Sequence, residues 1–473
     1  MSRFLKTLTL AAPLLTAALV TPRADACGGC FVPPSSSTVV SGHRMALSVS
    51  KDRTVLWDQI QYQGNPEDFS WVLPIKPGAR IEQADNAWFE TLEAATITTV
   101  EAPPLNCGSG GTSDFGCGSS QSFAASAESD GAGNGGVQVI KQETVGPYDS
   151  VTLSSEDPGA LTAWLESHGY DIPADVKPII GAYVDDGFDF IALRLTPGNG
   201  VDLMAPVRVI TDGASPVLPL RMVSAGTGPF TGIVLYLIGE GRWTTANFPE
   251  ARVRLEDLVW DGEKSDSNYA VLRASALASN AGRSWITTFA QRNAFFGGEE
   301  PGWGIGYSYM DQLVDETGEG WDVASDCRST MTAALDSGAV VVDTCNADGE
   351  ECTDPAEGQI DARAFACEHL TDLSTALVGM RPHDVWVTRM EANLPRTALL
   401  DDLELRAHDT QTPVASYLYA EESKNYQCPS TPWLGTPQKP APGSGTPIVL
   451  TTLAALAALL LARRRTLAAT TRA

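Results

Sequence analysis

The sequence predicts an α+β protein with an antiparallel, β-rich and sandwich-like N-terminal part, a mixed α+β middle and a more helical C-terminal part. Three patterns lead to this prediction. Short runs of strand-forming residues, separated by turn residues, dominate the N-terminal part. Similar runs then alternate with a well-marked helix. From about residue 243, apolar residues recur at helical spacing.

The first folded region, residues 27–105, is predicted to be a β-meander followed by a helix. Its strands are HRMALSV (43–49), TVLWDQIQY (54–62) and DFSWVLPI (68–75), with SKDR and QGNPE as the turns between them. The helix covers DNAWFETLEAA (85–95), which begins with a candidate N-cap residue and has apolar residues at helical spacing.

A flexible Gly/Ser-rich loop is predicted over residues 106–136, and an α+β region over residues 137–242. In this region DPGALTAWLESHG is predicted to be a helix, because Asp157 can cap it, Pro158 suits its first turn and Gly169 can end it. The runs FDFIALRL, PVRVIT, VLPLRMV and GIVLYLIG are predicted to be strands of a buried sheet.

Residues 243–428 are predicted to be helix-rich, with DVWVTRM and LLDDLELRA as a returning pair of strands. Three tryptophans that lie in periodic apolar patterns are predicted to be core residues: Trp57, Trp71 and Trp164.

The N-terminus has the pattern of a secretory signal peptide, residues 1–26. Arg3 and Lys6 form a basic start, Leu8–Val20 is almost wholly apolar, and Ala24-Asp25-Ala26 supplies the small residues that signal peptidase accepts. We therefore expect an exported protein that begins at Cys27.

The C-terminus has the pattern of an anchor. A Pro/Gly-rich linker (429–447) precedes an apolar segment (448–462) and a basic tail (463–473). An apolar helix of this length spans about 22 Å, less than the ~30 Å of a hydrocarbon core, but flanking arginines can reach the interface. The segment is predicted to be a transmembrane or sorting helix, and its basic flank places the C-terminus in the cytoplasm. We expect the part of the chain between the signal peptide and this helix to lie at the cell envelope or cell surface.

The net charge of the chain limits the classes of partner that it can bind. The formal net charge is −26. The leader and the tail each carry a net positive charge, so the region between them is more acidic than the whole chain. Such a surface repels nucleic acid, which is excluded as a partner. The expected partners are the membrane, through the C-terminal helix, and an unidentified extracellular protein or glycan.

Nine cysteines in an exported chain indicate disulfides, and the odd count leaves at least one cysteine unpaired within the chain. The CGGC sequence at Cys27 and Cys30 is open to four interpretations: a structural disulfide, which we favour, a lipid on Cys27, a redox pair or a metal site. The cysteines expected in disulfides are Cys27, Cys30, Cys107, Cys117, Cys345 and Cys352.

Several stretches together resemble the domain of unknown function 2330 family of exported bacterial proteins. They include CGGCFVPP, LWDQIQYQGNPEDFSWVLPIKPGA, ALTAWLESHGYDIP and DVWVTRMEANLPRTALLDDLEL, and they extend over most of residues 27–410. The family has no established activity, so the resemblance implies no functional residues. Separately, NPEDFSWVLPIKPGA is similar to the strand–turn consensus of vault/inter-alpha-trypsin domains, which are β-sandwich binding modules.

No catalytic, cofactor-binding or metal-binding residues are predicted. GAGNGG (131–136) lacks the strand and helix of a dinucleotide site, and TCNADGEECTDP (344–355) lacks both carboxylates that define an EF-hand loop. His43, His383 and His408 have no recognisable partners in the sequence. The pairs Asp185/Asp186 and Asp401/Asp402 are expected to be solvated surface carboxylates.

The sequence thus favours a non-enzymatic binding or scaffold ectodomain. The alternative is an exported hydrolase or thiol-redox enzyme whose site assembles from distant residues. A deep pocket that gathers several of four residues would favour the enzyme: His43, Asp185, His369 and His383.

Overall fold

A mostly antiparallel sheet of eight strands lies at the centre of the fold, as far as the structure describes it. In spatial order the strands are β14 (Glu250–Ala251), β17 (Trp285–Arg292), β20 (Val385–Pro395), β12 (Phe230–Glu240), β2 (Val39–Val49), β3 (Arg53–Gln63), β10 (Val207–Asp212) and β5 (Arg80–Gln83). Two neighbouring pairs are parallel, β12 with β2 and β14 with β17.

The coordinates are those of a computed structural model. It describes residues 30–31, 39–63, 70–103, 136–170, 172, 174, 176–196, 205–224, 229–262, 264–295, 329, 338–345, 352–365 and 371–422. All of them belong to one compact unit, residues 1–426. The predicted signal peptide, the linker, the C-terminal helix and the basic tail lie outside the described residues, as does nearly all of the Gly/Ser-rich loop.

A second, antiparallel sheet packs on one face of the central sheet. Its strands in spatial order are β1 (Cys30–Phe31), β4 (Ser70–Ile75), β9 (Asp189–Leu195), β8 (Tyr148–Ser154) and β7 (Gln138–Val145). Its far face is covered by helices α2 (Pro158–Ser167) and α3 (Lys177–Asp185).

Helix α2 forms as the sequence predicts. The Asp157 side chain accepts a hydrogen bond from the amide of Gly159 at 2.8 Å, Pro158 stands in the first turn, and Gly169 follows the helix with φ +83°. An L side chain is strained at that φ, so glycine suits the end of this helix.

The remaining described elements are short helices and small sheets. The helices are α1 (Asn86–Thr96), α4 (Leu220–Val223), α5 (Tyr269–Leu277) and α6 (Thr371–Leu377). The small sheets contain β11 (Val217–Leu218), β21 (Leu403–Ala407) and β13 (Trp243–Thr245); β16 (Asp266–Ser267), β15 (Val259–Asp261) and β23 (Glu421–Glu422); β18 (Val340–Val342) and β19 (Gln359–Asp361); and β22 (Tyr417–Tyr419) and β6 (Thr99–Glu101).

The core has layers on both faces of the central sheet. Alternate residues of β2 point to opposite faces: Ala46 packs in the cluster with α1 and α6, while Met45 and Leu47 pack in the cluster with β11 and β21. On the helical face, the ring centroids of Trp57 and Trp88 are 5.4 Å apart. The α+β prediction is confirmed, with more strand than helix. Burial of the three predicted core tryptophans is also confirmed: Trp57, Trp71 and Trp164.

The predicted β-meander is wrong in its third strand. β2 and β3 pair as predicted, but β3 has β10 on its other side, and β4 pairs with β9 in the second sheet. All six residues of β4 are buried. Trp71 and Leu73 pack toward the central sheet and Val72 toward α2 and α3, so this strand suits an interior layer with apolar neighbours on both faces.

Two further strand predictions need correction. DVWVTRM and LLDDLELRA form β20 and β21, but these do not pair with each other. β20 has β12 and β17 on its two sides, so β21 joins β11 and β13 instead. VLPLRMV is a strand only at Val217–Leu218, because Pro219 follows and the chain then forms the short helix α4.

The central sheet draws strands from all three predicted folded regions. β2, β3 and β5 come from residues 27–105, β10 and β12 from residues 137–242, and β14, β17 and β20 from residues 243–428. These three regions therefore share one core.

Candidate functional site

A cleft of about 620 Å³ opens beside β17, the strand near one edge of the central sheet. We call it the edge cleft. Among the residues that line it are Arg242, Glu250, Thr287, His408, Val414 and Leu418.

The edge of the sheet explains why the cleft forms. β14 is only two residues long and pairs with Trp285 and Ile286. Further along β17, the amide and carbonyl groups of Ala290 and Val414 form hydrogen bonds of 2.8 and 2.9 Å. Between these two pairings lies Thr287, where the register of β17 shifts. The interruption leaves a gap in the row of strands outside β17, and the cleft occupies it.

Arg242 is almost wholly buried in the lining, with 8% of its surface exposed. Gly241 before it has φ +122°, a conformation that suits glycine, and allows the chain to turn out of β12. The Arg242 Nη1 group donates to the Thr412 carbonyl at 3.0 Å, whereas the buried Nε has no hydrogen-bond partner. Burial lowers the pKa of the Arg242 guanidinium, against the raising effect of Glu250.

Glu250 is the carboxylate nearest to that guanidinium. Its Oε2 accepts a hydrogen bond from the Thr244 hydroxyl at 2.8 Å, and its Oε1 accepts one from the Thr287 hydroxyl at 2.9 Å. Arg242 Nη2 lies 3.6 Å from Oε1, beyond the distance of a good hydrogen bond. Both carboxylate oxygens are thus engaged by hydroxyl groups, and the guanidinium is a more distant neighbour.

His408 lies beside Arg242 and Glu250 in the cleft because β13 and β21 are paired. Trp243 lies opposite Ala407, and the same register continues to His408, whose amide donates to the Arg242 carbonyl at 2.8 Å. The ring Nε2 is 3.7 Å from Glu250 Oε2, and Nδ1 faces the backbone of Thr410.

The other walls of the cleft are mixed. The Tyr269 hydroxyl donates to Thr98 Oγ1 at 3.2 Å, and burial raises the pKa of Tyr269. Val253, Val414 and Leu418 supply apolar surface. Two arginines, one carboxylate, one imidazole and several hydroxyls therefore line an opening that is otherwise apolar, an arrangement typical of a site for a small polar ligand.

His43 has a partner that its sequence context did not reveal. The antiparallel register of β2 and β3 brings it beside Asp58, with Nδ1 3.2 Å from Oδ1. His43 is 1% and Asp58 3% exposed, and His43 Nε2 has no hydrogen-bond partner. The His43 side chain is thus held inside the sheet, and the residue borders a separate cavity of about 470 Å³, not the edge cleft.

The four residues that would favour an enzyme are not gathered in the edge cleft. His43 is buried in β2, while Asp185 and His383 are exposed and do not line the edge cleft. His369 lies outside the part of the chain that the structure describes.

The prediction of solvated surface carboxylates is wrong for Asp402. Its side chain is 13% exposed and accepts hydrogen bonds from the Tyr183 hydroxyl at 2.5 Å and from Arg221 Nη2 at 2.8 Å. Burial, together with the Asp402 carboxylate, raises the pKa of Tyr183. Asp402 therefore joins α3 and α4 and is not part of a solvated pair.

Two of the six cysteines expected in disulfides are joined in the structure. Cys345 and Cys352 form a disulfide that closes an acidic loop, with their Cα atoms 4.0 Å apart. Cys30 lies in β1, opposite Trp71. Three others lie outside the described residues: Cys27, Cys107 and Cys117.

Two properties of the described residues concern metals and membranes. Within them, no group of three or more His, Cys, Asp and Glu side chains is placed to hold a metal ion. None of the helices in the described ranges is long and apolar enough to cross a membrane. The predicted anchor helix at 448–462 lies outside the described residues.

Sequence reasoning did not predict the edge cleft. Arg242, Glu250 and His408 come from three separate segments, and their proximity depends on the pairing of β13 with β21 and of β14 with β17. No local motif signals this arrangement. The one signal available was His408 itself, which looked unpartnered in the sequence.

A family profile described as an uncharacterized protein conserved in bacteria (DUF2330) matches residues 21–296. The matched span includes Arg242, Glu250 and Thr287 and ends before His408. No curated protein and no solved structure matches the chain.

Proposed function

We propose a binding function at the cell envelope for this chain, which belongs to the DUF2330 family of uncharacterized bacterial proteins. The proposed protein is exported, held in the membrane by its C-terminal helix, and binds a small polar ligand in the edge cleft. The ligand comes from an extracellular glycan or protein.

The ends of the chain support export and anchoring. The leader at 1–26 fits a signal peptide, and the apolar segment at 448–462 with its basic flank fits an anchor. The disulfide between Cys345 and Cys352 is consistent with an oxidising compartment, because such bonds are rare in the cytosol.

The edge cleft is the observation that carries the binding proposal. Its volume of about 620 Å³ falls in the ordinary range for small-molecule sites. It brings a few polar groups together on an otherwise apolar lining, and such groups fix the orientation of a bound ligand.

The hydrogen bonds within the cleft hold its carboxylate in place. The hydroxyls of Thr244 and Thr287 donate to the two oxygens of Glu250. A polar group that is fixed in this way can orient a bound ligand, which supports a binding site.

The test is a thermal-shift screen of the full chain in detergent against monosaccharides, sugar acids, amino acids and small dicarboxylates. The Ala415→Trp variant fills the cleft, because Ala415 is an exposed residue of its lining. Ala356→Trp is the matched control at an exposed position outside the lining.

We expect at least one compound to raise the melting temperature of the wild type and of Ala356→Trp, but not of Ala415→Trp. A panel without any such compound, or equal shifts in all three proteins, would contradict the proposal.

A further inference from the structure

We infer that the edge cleft binds the carboxylate of a small hydroxylated acid, of the uronic acid type, with Arg242 as its anchor. This inference rests on the proposed binding function and specifies the class of ligand. It follows from the charge balance, the hydroxyl groups and the shape of the cleft.

The first argument is the incomplete pairing of Arg242. A guanidinium has five N–H donors, and a buried cation is costly unless it is paired and hydrogen-bonded. The contacts of Arg242 within the cleft are the Thr412 carbonyl at 3.0 Å and Glu250 at 3.6 Å, and its Nε has no acceptor. A ligand carboxylate would give this guanidinium the close anionic partner that it lacks.

The second argument is that Glu250 cannot easily become that partner. Its two oxygens already accept hydrogen bonds from Thr244 and Thr287, which belong to β13 and β17 and hold the carboxylate in its present place. A bidentate ion pair with Arg242 would require Glu250 to break its hydrogen bonds with these hydroxyls.

The third argument is the sign of the charge in the cleft. The lining contains two arginines, Arg242 and Arg252, one carboxylate, Glu250, and the imidazole of His408. Arg252 is 83% exposed and lies 3.5 Å from Glu256, which is outside the lining, so Arg242 is the buried cation of the cleft. The whole chain has a formal net charge of −26. A lining in which cations outnumber carboxylates is therefore a local exception on an acidic protein, and it favours an anion over a neutral or cationic ligand.

The shape of the cleft favours a compact ligand over a peptide strand. A peptide that added to β17 would have to run through the gap outside that strand. β14 already pairs with β17 just before Thr287, and Val414 pairs with it again at Ala290. The free stretch is too short for an added strand, whereas a cleft of about 620 Å³ has room for a small sugar acid.

The hydroxyl groups of the lining favour a ligand that is itself hydroxylated. Thr98, Tyr269, Thr287 and Thr288 all line the cleft. A hydroxyl can accept one hydrogen bond while it donates another, so these groups can bind ligand hydroxyls and keep their present contacts. Apolar side chains such as Leu418 can cover the C–H face of a sugar ring.

The experiment is isothermal titration of the full chain in detergent with three probes: D-galacturonate, D-galactose and propionate. These probes separate the carboxylate from the hydroxyl groups. The variants are Arg242→Gln, which removes the cation, and Arg242→Lys, which keeps the positive charge but cannot form the bidentate hydrogen bonds of a guanidinium. Arg254→Gln is the matched control, because Arg254 is 69% exposed, pairs with Asp257 and does not line the cleft.

We expect D-galacturonate to bind the wild type and Arg254→Gln at least tenfold more tightly than either other probe. Both Arg242 variants should weaken its binding at least tenfold, and added salt should weaken it further. If Arg242→Gln does not fold, Arg242→Lys and Ala415→Trp carry the test.

Equal binding of D-galactose and D-galacturonate, with no effect of the Arg242 variants, would overturn the anionic ligand and leave the binding function standing. Equal binding of propionate would overturn the hydroxylated ligand. Absence of D-galacturonate binding would overturn the inference, and the thermal-shift screen would then decide whether the cleft binds another class of compound.

Discussion

Arg208 and Asp372 form an ion pair inside the protein, with Nη1 2.7 Å from Oδ1. Asp372 is completely buried, and it also accepts hydrogen bonds from Trp57 Nε1 at 2.7 Å and from the amide of Asp85 at 2.8 Å. One carboxylate thus connects α6 with β10, with β3 and with the start of α1.

We expect Asp372→Asn to lower the free energy of unfolding by about 3–5 kcal/mol, because it removes the fully buried anionic partner of Arg208 and leaves that guanidinium paired with the more exposed Glu82. Urea unfolding followed by tryptophan fluorescence measures the change. The control is Asp409→Asn, which breaks the exposed pair with Arg406 and should cost less than about 1 kcal/mol. Similar losses in the two variants would contradict the structural role given to Asp372.

Trp71 tests the placement of β4 between the central sheet and the second sheet. It is 3% exposed and packs with Ile60 and Val209 of the central sheet. We expect Trp71→Ala to cost about 3–5 kcal/mol, because it leaves a large cavity in the core. Tyr419→Ala, at an 81% exposed side chain, should change the unfolding free energy little. An unchanged thermal unfolding of Trp71→Ala would count against this placement.

The anchoring proposal predicts the effect of a C-terminal deletion. Removal of residues 448–473 should move most of the protein from the membrane to the soluble fraction. The apolar run GIVLYLIG remains after the deletion, but it is far shorter than the ~20 residues that a helical span needs. Cell fractionation and immunoblotting measure this shift. Cys27→Ser is the companion variant. If the shortened protein leaves the membrane only after Cys27 is also changed, a lipid on Cys27 is the anchor.

The sequence predicts local structure well because local rules decide it. The N-cap at Asp157 and the glycine that ends α2 follow from contacts within a few residues. The sheet that β4 joins does not follow from such local contacts. It depends on which strand pairs with the second edge of β3. β10 takes that position, and no local pattern distinguishes this arrangement from a meander.

The edge cleft was beyond local reasoning for a similar physical reason. His408 and Arg242 come together because β13 pairs with β21, and Glu250 joins them because β14 lies at the edge of the central sheet. Each residue alone is an ordinary surface residue in the sequence. Their chemistry exists only after pairings between strands that are distant along the chain.

Amide hydrogen exchange of the full chain, with and without saturating D-galacturonate, tests most directly whether the edge cleft is the binding site. We expect slower exchange on ligand addition in two segments, residues 285–290 and 408–415, because residues of both segments line the cleft. Residues 371–377 of α6, on the helical face of the sheet, should exchange unchanged. Protection confined to other parts of the chain, or no protection at all, would contradict the account.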